Sequence, residues 1–131
     1  MPITDPIRAS RNRDFADTLL VTYYGDPLPL TGATIKMEVR QYEGAGGSAL
    51  ASDTDVDFLD AADPTDDHPD RRLLTLLPNI AKSALAALPG QNTPDAGDPQ
   101  TFKQEVMIVY ADTARDSLWI GDLILSPGVV A

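Results

Sequence analysis

The sequence predicts an all-β fold, an antiparallel immunoglobulin-like β-sandwich of about 6–8 strands with one short helix near residues 79–88. Three observations carry this expectation. Short apolar runs rich in β-branched and aromatic residues recur at near-regular intervals, as the strands of a sandwich do. The 11 prolines and 9 glycines fall mostly between those runs, where a chain that turns often needs them. Helical spacing is confined to one segment, whereas a parallel α/β sheet would need a helix between successive strands.

Residues 1–13 read as a polar, partly basic amino-terminal arm ahead of a single β-sandwich domain over residues 14–131. Arg8, Arg11 and Arg13 belong to that arm and are candidate interaction residues for an acidic neighbour. Residues 14–24 are β-branched and aromatic and close at Gly25-Asp26-Pro27, which makes a strand and its turn. In the next strand Ile35, Met37 and Val39 alternate with Thr34, Lys36, Glu38 and Arg40. That period of two fits a strand with one buried and one wet face, and a helix would scatter the same charges around its axis.

Gly44-Ala45-Gly46-Gly47 lies in a flexible connection. Beyond it Thr54, Val56 and Phe58 alternate with Asp53, Asp55 and Asp57, the pattern of another half-exposed strand. An Asp- and Pro-rich loop over residues 60–70 leads to Arg71-Arg72-Leu73-Leu74-Thr75-Leu76-Leu77, a more fully buried strand. Ile80, Ala84 and Leu88 recur every four positions, Asn79 can cap a first-turn amide, and Pro89-Gly90 supplies a stop, so this is the helix. A polar loop over residues 91–100 precedes strands at residues 102–110 and 118–125, the last ended by Ser126-Pro127-Gly128.

Composition narrows the partners. With 10 Lys+Arg against 20 Asp+Glu the formal charge is −10, which repels duplex DNA and anionic membranes, so neither direct nucleic-acid nor membrane partners are expected. The chain has no cysteine, which excludes disulfide staples, thiol nucleophiles and cysteine-ligated zinc. No window reaches the roughly 20 apolar residues of a membrane-spanning helix. The start, Met1-Pro2-Ile3-Thr4-Asp5, lacks the basic and apolar regions of a signal peptide. A hydrophobic fraction of 43% suffices for a core.

Reactive chemistry is sparse. The sole histidine, His68, sits in a Pro/Asp-rich loop with no stiff element to aim it at a nucleophile. Carboxylates are plentiful but lie in polar company, without the apolar setting that tunes an acid–base pair. Asp53-x-Asp55-x-Asp57 has the opening spacing of a calcium loop and is the one weak metal candidate. It carries Phe58 where that loop turns on glycine and Pro64 where a bidentate glutamate would stand. Gly44-Ala45-Gly46-Gly47 lacks the Lys-Ser/Thr of a phosphate-binding loop. Tyr23, Tyr24, Tyr42, Tyr110 and Trp119 are not interleaved with basic residues as a single-strand stacking platform would be. Neither catalysis nor a cofactor is expected.

Three segments carry a resemblance. Asp26-Pro27-Leu28-Pro29-Leu30-Thr31-Gly32-Ala33-Thr34-Ile35-Lys36-Met37-Glu38-Val39-Arg40 resembles the G-x-P-L-x-L-T-G-A-x-(V/I)-x-M-x-V-R stretch of small β-sandwich domains in tailed-phage and prophage virion proteins. The amino-terminal domains of baseplate upper proteins are among these. Ala84-Leu85-Ala86-Ala87-Leu88-Pro89-Gly90 is similar to their short helix and L-P-x-G turn. Gly121-Asp122-Leu123-Ile124-Leu125-Ser126-Pro127-Gly128-Val129 is similar to their closing strand, with Val130 in place of a final Thr. The resemblance implies a non-enzymatic structural protein of the virion, in the tail, baseplate or head-to-tail region. Its partners would be other virion proteins and further copies of itself in a homo-oligomer or ring. The alternatives are a head-decoration protein and a host- or carbohydrate-binding β-sandwich module.

Overall fold

A computed structural model describes residues 3–62, 70–89 and 95–129. Among them the chain forms β1 (Ile7–Ser10), β2 (Leu19–Tyr24), β3 (Thr34–Arg40), β4 (Ala51–Asp53), β5 (Asp57–Ala62), β6 (Arg71–Leu77), α1 (Lys82–Ala86), β7 (Gln100–Val109) and β8 (Arg115–Ser126). A five-stranded sheet runs β1-β8-β7-β3-β4 and a three-stranded sheet runs β2-β6-β5. Their inner faces share one apolar core, with Ile35, Met37, Val39, Phe102, Val106, Ile108, Leu123 and Leu125 from the large sheet against Leu19, Val21, Leu74 and Leu76 from the small one. The predicted β-sandwich with one short helix is the fold observed.

The strand at residues 34–40 keeps its expected bounds because its alternation is unbroken: all three apolar residues are fully buried between polar neighbours. Four expectations need correction. The amino-terminal segment is not an arm, because Ile7 and Ala9 are buried and β1 pairs in parallel with β8, Ile7 opposite Leu123 and Ser10 opposite Ser126. The large sheet is therefore not purely antiparallel. Residues 53–58 do not make one strand: Asp53 Oδ1 accepts the Asp55 amide at 3.1 Å, the chain turns, and it passes from β4 in one sheet to β5 in the other. The strand start at residue 14 moves to Leu19, with Phe15 held separately in an antiparallel bridge to Ile80.

The helix is the fourth correction. Ile80 is spent on that bridge, so α1 keeps five residues, and the Asn79 side chain does not cap it. Asp14 does so from far away in sequence, its Oδ1 accepting the Lys82 amide at 2.6 Å, while the Asn79 amide donates to Asp53 Oδ2 at 2.8 Å. A helix this short has little stability of its own and depends on such tertiary contacts and on Leu85, which is fully buried.

The β7–β8 hairpin closes on residues 110–114, where the Thr113 amide donates to the Tyr110 carbonyl at 2.9 Å. Thr113 has φ +70°, the one non-glycine positive value among the described residues. A β-branched residue there costs about 1–2 kcal/mol, against roughly 0.5–1 kcal/mol of extra unfolded-state entropy for glycine. Thr113→Gly is therefore expected to stabilise the domain by about 0.5 kcal/mol, read as a higher urea midpoint, whereas Thr113→Ala should not.

Candidate interaction surfaces

The three arginines of the amino-terminal segment do three different things. Arg8 points away from the core on β1, and Arg13 makes an exposed ion pair with Asp17 at 3.7 Å. Arg11 is 4% exposed. Its guanidinium donates to the carbonyls of Leu85 (3.5 Å), Ala86 (3.3 Å), Leu88 (2.6 Å) and Pro89 (3.0 Å), and to Gln100 Oε1 at 3.3 Å. The Ala86, Leu88 and Pro89 carbonyls lie at or just past the carboxyl end of α1, where a cation is favoured, while the Leu85 carbonyl also accepts the Leu88 amide at 3.3 Å. Burial lowers the pKa of Arg11 from its usual value, and neutral oxygens alone accept its hydrogen bonds. Arg11 is thus a structural clamp joining the segment after β1 to α1 and β7.

The aspartates of the calcium-like spacing are not assembled into a site. Asp53 spends its two oxygens on the Asp55 and Asn79 amides, and Asp57 begins a strand of the other sheet. Among the described residues no three acidic or histidine side chains are placed to hold a metal ion. His68 lies outside the described residues, as do Pro64 and Gly90.

Tyr23, Asp60 and Arg72 form a polar knot on the inward side of the small sheet. The Tyr23 hydroxyl lies 2.8 Å from each Asp60 oxygen, and Arg72 reaches Asp60 Oδ2 at 3.2 Å. Tyr23 also accepts the Leu28 amide at 3.2 Å, which ties the β2–β3 loop down over the core. Hydrogen bonds to Tyr23 and Asp60 raise the Arg72 pKa. The groups satisfy one another, as interior polar groups must.

Two outward faces remain, and they differ in chemistry. Across the large sheet the register lines up Arg40, Lys103 and Asp122 in one row, and Glu38, Glu105 and Ile120 in the next. Arg40 pairs with Glu38 at 2.8 Å and holds the β3–β4 loop through the carbonyls of Ala45 and Gly47. Lys103 pairs with Asp122, which raises the lysine pKa. Between this face and the loop lies an open concavity of about 410 Å³, where Lys36 and Arg115 stand beside Met107 and Val109. Of the charges in its wall, Arg40 pairs with Glu38 and Lys103 with Asp122.

The small sheet presents leucines instead. Leu20, Thr75 and Leu59 form one row and Thr22, Leu73 and Ala61 the next. Leu59 is 67% exposed, Tyr24 61%, Leu20 52% and Leu77 40%. The strand at residues 71–77 is therefore not buried on both sides: Leu74 and Leu76 fill the core, while Leu73, Thr75 and Leu77 belong to the outer face. Its doubly apolar sequence was the signal for this surface, because such a strand suits a sheet covered on both faces. Scattered exposed leucines need no explanation, but a contiguous patch marks an interaction site.

Among the described residues no helix is long and apolar enough to cross a membrane. The chain matches no protein-family model and no curated protein.

Proposed function

We propose that this chain is a non-enzymatic structural protein of a tailed-bacteriophage virion, assembling through its sheet faces and strand edges in the tail, baseplate or head-to-tail region. The observation that carries the surface part of this reading is the contiguous leucine face of the small sheet. The phage part rests on the resemblance of residues 26–40, 84–90 and 121–129. The first of these segments contains a turn that needs glycine: Gly32 has φ +78°, and a Cβ there would stand 3.1 Å from Ala111 Cβ. The second carries the helix end that Arg11 clamps, and the third carries the part of β8 that receives β1.

Strand edges support the reading as well. The outer strands of the large sheet, β1 and β4, have four and three residues, short templates for a partner strand. Those of the small sheet, β2 and β5, have six each and flank the leucine face. Disrupting the gene in a host that produces the particles tests the proposal. Electron micrographs should show assembly arrested at the stage this protein joins, with complementation restoring complete particles. Complete, infectious particles without the protein would overturn the proposal.

A further inference from the structure

We propose that the leucine face of the small sheet docks a basic amphipathic helix of another protein. The inference rests on the reading that the chain works through its surfaces, and it names the chemistry of the partner. Leu77, then Leu20 with Leu59, then Leu73 with Ala61 follow one another over three successive rows of the sheet, with only threonines between them.

Size narrows the occupant. β2 and β5 have six residues each and β6 has seven, so the face measures about 20 Å along the strands and about 14 Å across them. That footprint, about 280 Å², is well below the roughly 800 Å² that each partner contributes to a standard stable interface. Two copies that each carry −10 would also repel one another. A helix is about 10–12 Å wide and rises about 1.5 Å per residue, so one of about 13 residues matches the face in both dimensions. Laying the apolar stripe of a helix on the apolar face of a sheet is an ordinary two-layer packing. The α-helix among the described residues, α1, has five residues, and no stretch outside them exceeds seven. These 131 residues therefore supply no helix of the required length.

Charge sets the sign of that helix. Asp57 lies opposite Leu77 at one end of the face, with Asp55 two residues before it, and Asp26 and Asp70 flank the Tyr24–Arg71 pair at the other. All four aspartates are exposed. The cations nearby are already engaged: Arg71 and Tyr24 interact within the chain, Arg72 pairs with Asp60 on the inner side, and Arg13 pairs with Asp17. Lys82, beyond the Leu77 end, has Asp14 against its amide. The rim is thus acidic around an apolar centre, and a helix with lysines or arginines flanking its apolar stripe complements both.

Fluorescence anisotropy with the full chain tests the inference. The probe is a labelled peptide of about 14 residues with leucines at i, i+3, i+4, i+7 and i+11, alanines between them and lysines on its flanks. It should bind with a Kd of roughly 10–100 µM at low salt, as a small interface does. A peptide of the same composition with its leucines shuffled off the stripe should bind at least about tenfold more weakly, which separates docking from attraction to an acidic chain. Leu59→Lys, at an exposed position, should weaken binding about tenfold with an unchanged circular dichroism spectrum, and Asp57→Asn and Asp70→Asn about threefold each. Leu20→Ser takes the place of Leu59→Lys if the latter does not fold. No binding at millimolar peptide, equal binding of the shuffled peptide, or indifference to the Leu59 and Leu20 variants would overturn the inference. So would dimerisation of the wild type that Leu59→Lys abolishes in sedimentation velocity, since the face would then belong to a second copy. A chain that binds the peptide but is absent from particles would sink the virion reading and leave the helix site standing. A particle component that ignores the peptide would do the reverse.

Discussion

Replacing Arg11 by alanine is expected to lower the unfolding free energy by about 3–5 kcal/mol, which would remove much of the stability of a domain this size. The guanidinium is buried and donates to four carbonyls and one side-chain amide oxygen. Its loss leaves the buried Leu88 carbonyl without its 2.6 Å donor and weakens the partly buried contacts at Ala86 and Pro89, at about 1–3 kcal/mol for a buried group left unsatisfied. The contributions do not add in full, since the end of α1 can relax toward solvent. Arg11→Met separates packing from hydrogen bonding: it refills most of the volume, donates nothing, and should recover little. Arg11→Lys should recover part, because an ammonium has three donors but not the planar fork that spans Leu88 and Pro89. Urea denaturation measures all three. A loss below about 1 kcal/mol for Arg11→Ala would show that the clamp is not what holds the amino-terminal segment.

Phe15→Ala should cost a similar amount, about 3–5 kcal/mol, by a different route. Phe15 is 2% exposed and is tied to Ile80 by two backbone hydrogen bonds of 2.9 Å, one in each direction. Removing the ring opens a cavity among core residues, and the adjoining Asp14 then loses the fixed backbone from which it caps Lys82. Arg11 acts at the carboxyl end of the same helix and Asp14 at its amino end. The double variant Arg11→Ala/Phe15→Ala should therefore lose less than the sum of the singles, because each already frees α1. Full additivity in a denaturation cycle would mean that the two contacts hold separate parts of the fold.

Much of this fold could be read from the residues, and the misses have physical causes. The strand at residues 34–40 was legible to the residue because its burial is one-sided and uninterrupted. The amino-terminal strand was not, since Ile7-Arg8-Ala9-Ser10 offers two apolar positions and finds its partner at Leu123–Ser126, at the far end of the chain. Charge made the same segment misleading: an arginine beside two others reads as solvated, and nothing local tells that Arg11 meets a row of helix-end carbonyls. The helix was legible in type but not in extent, because its cap comes from Asp14 and its first periodic residue is taken by a β-bridge.

The surfaces were partly legible. Alternation of Thr54, Val56 and Phe58 with three aspartates imitates a strand, and only the Asp53–Asp55 turn reveals a change of sheet. Burial on both faces of residues 71–77 followed from their composition, and the structure covers one. The other face keeps Leu20, Leu59 and Leu77 exposed, which is where the composition of the strand and the structure of the single chain diverge.

If this chain is a working part of a virion, as proposed above, it must be present in the particle. Quantitative mass spectrometry of density-purified particles, counting this chain against the major capsid protein, tests it most directly. A structural role predicts a stoichiometric component, with a copy number that is a small multiple of the tail symmetry for a tail, connector or baseplate position. Hundreds of copies would instead place it on the tail tube or the head surface. Absence from purified particles would rule out a structural role in the virion.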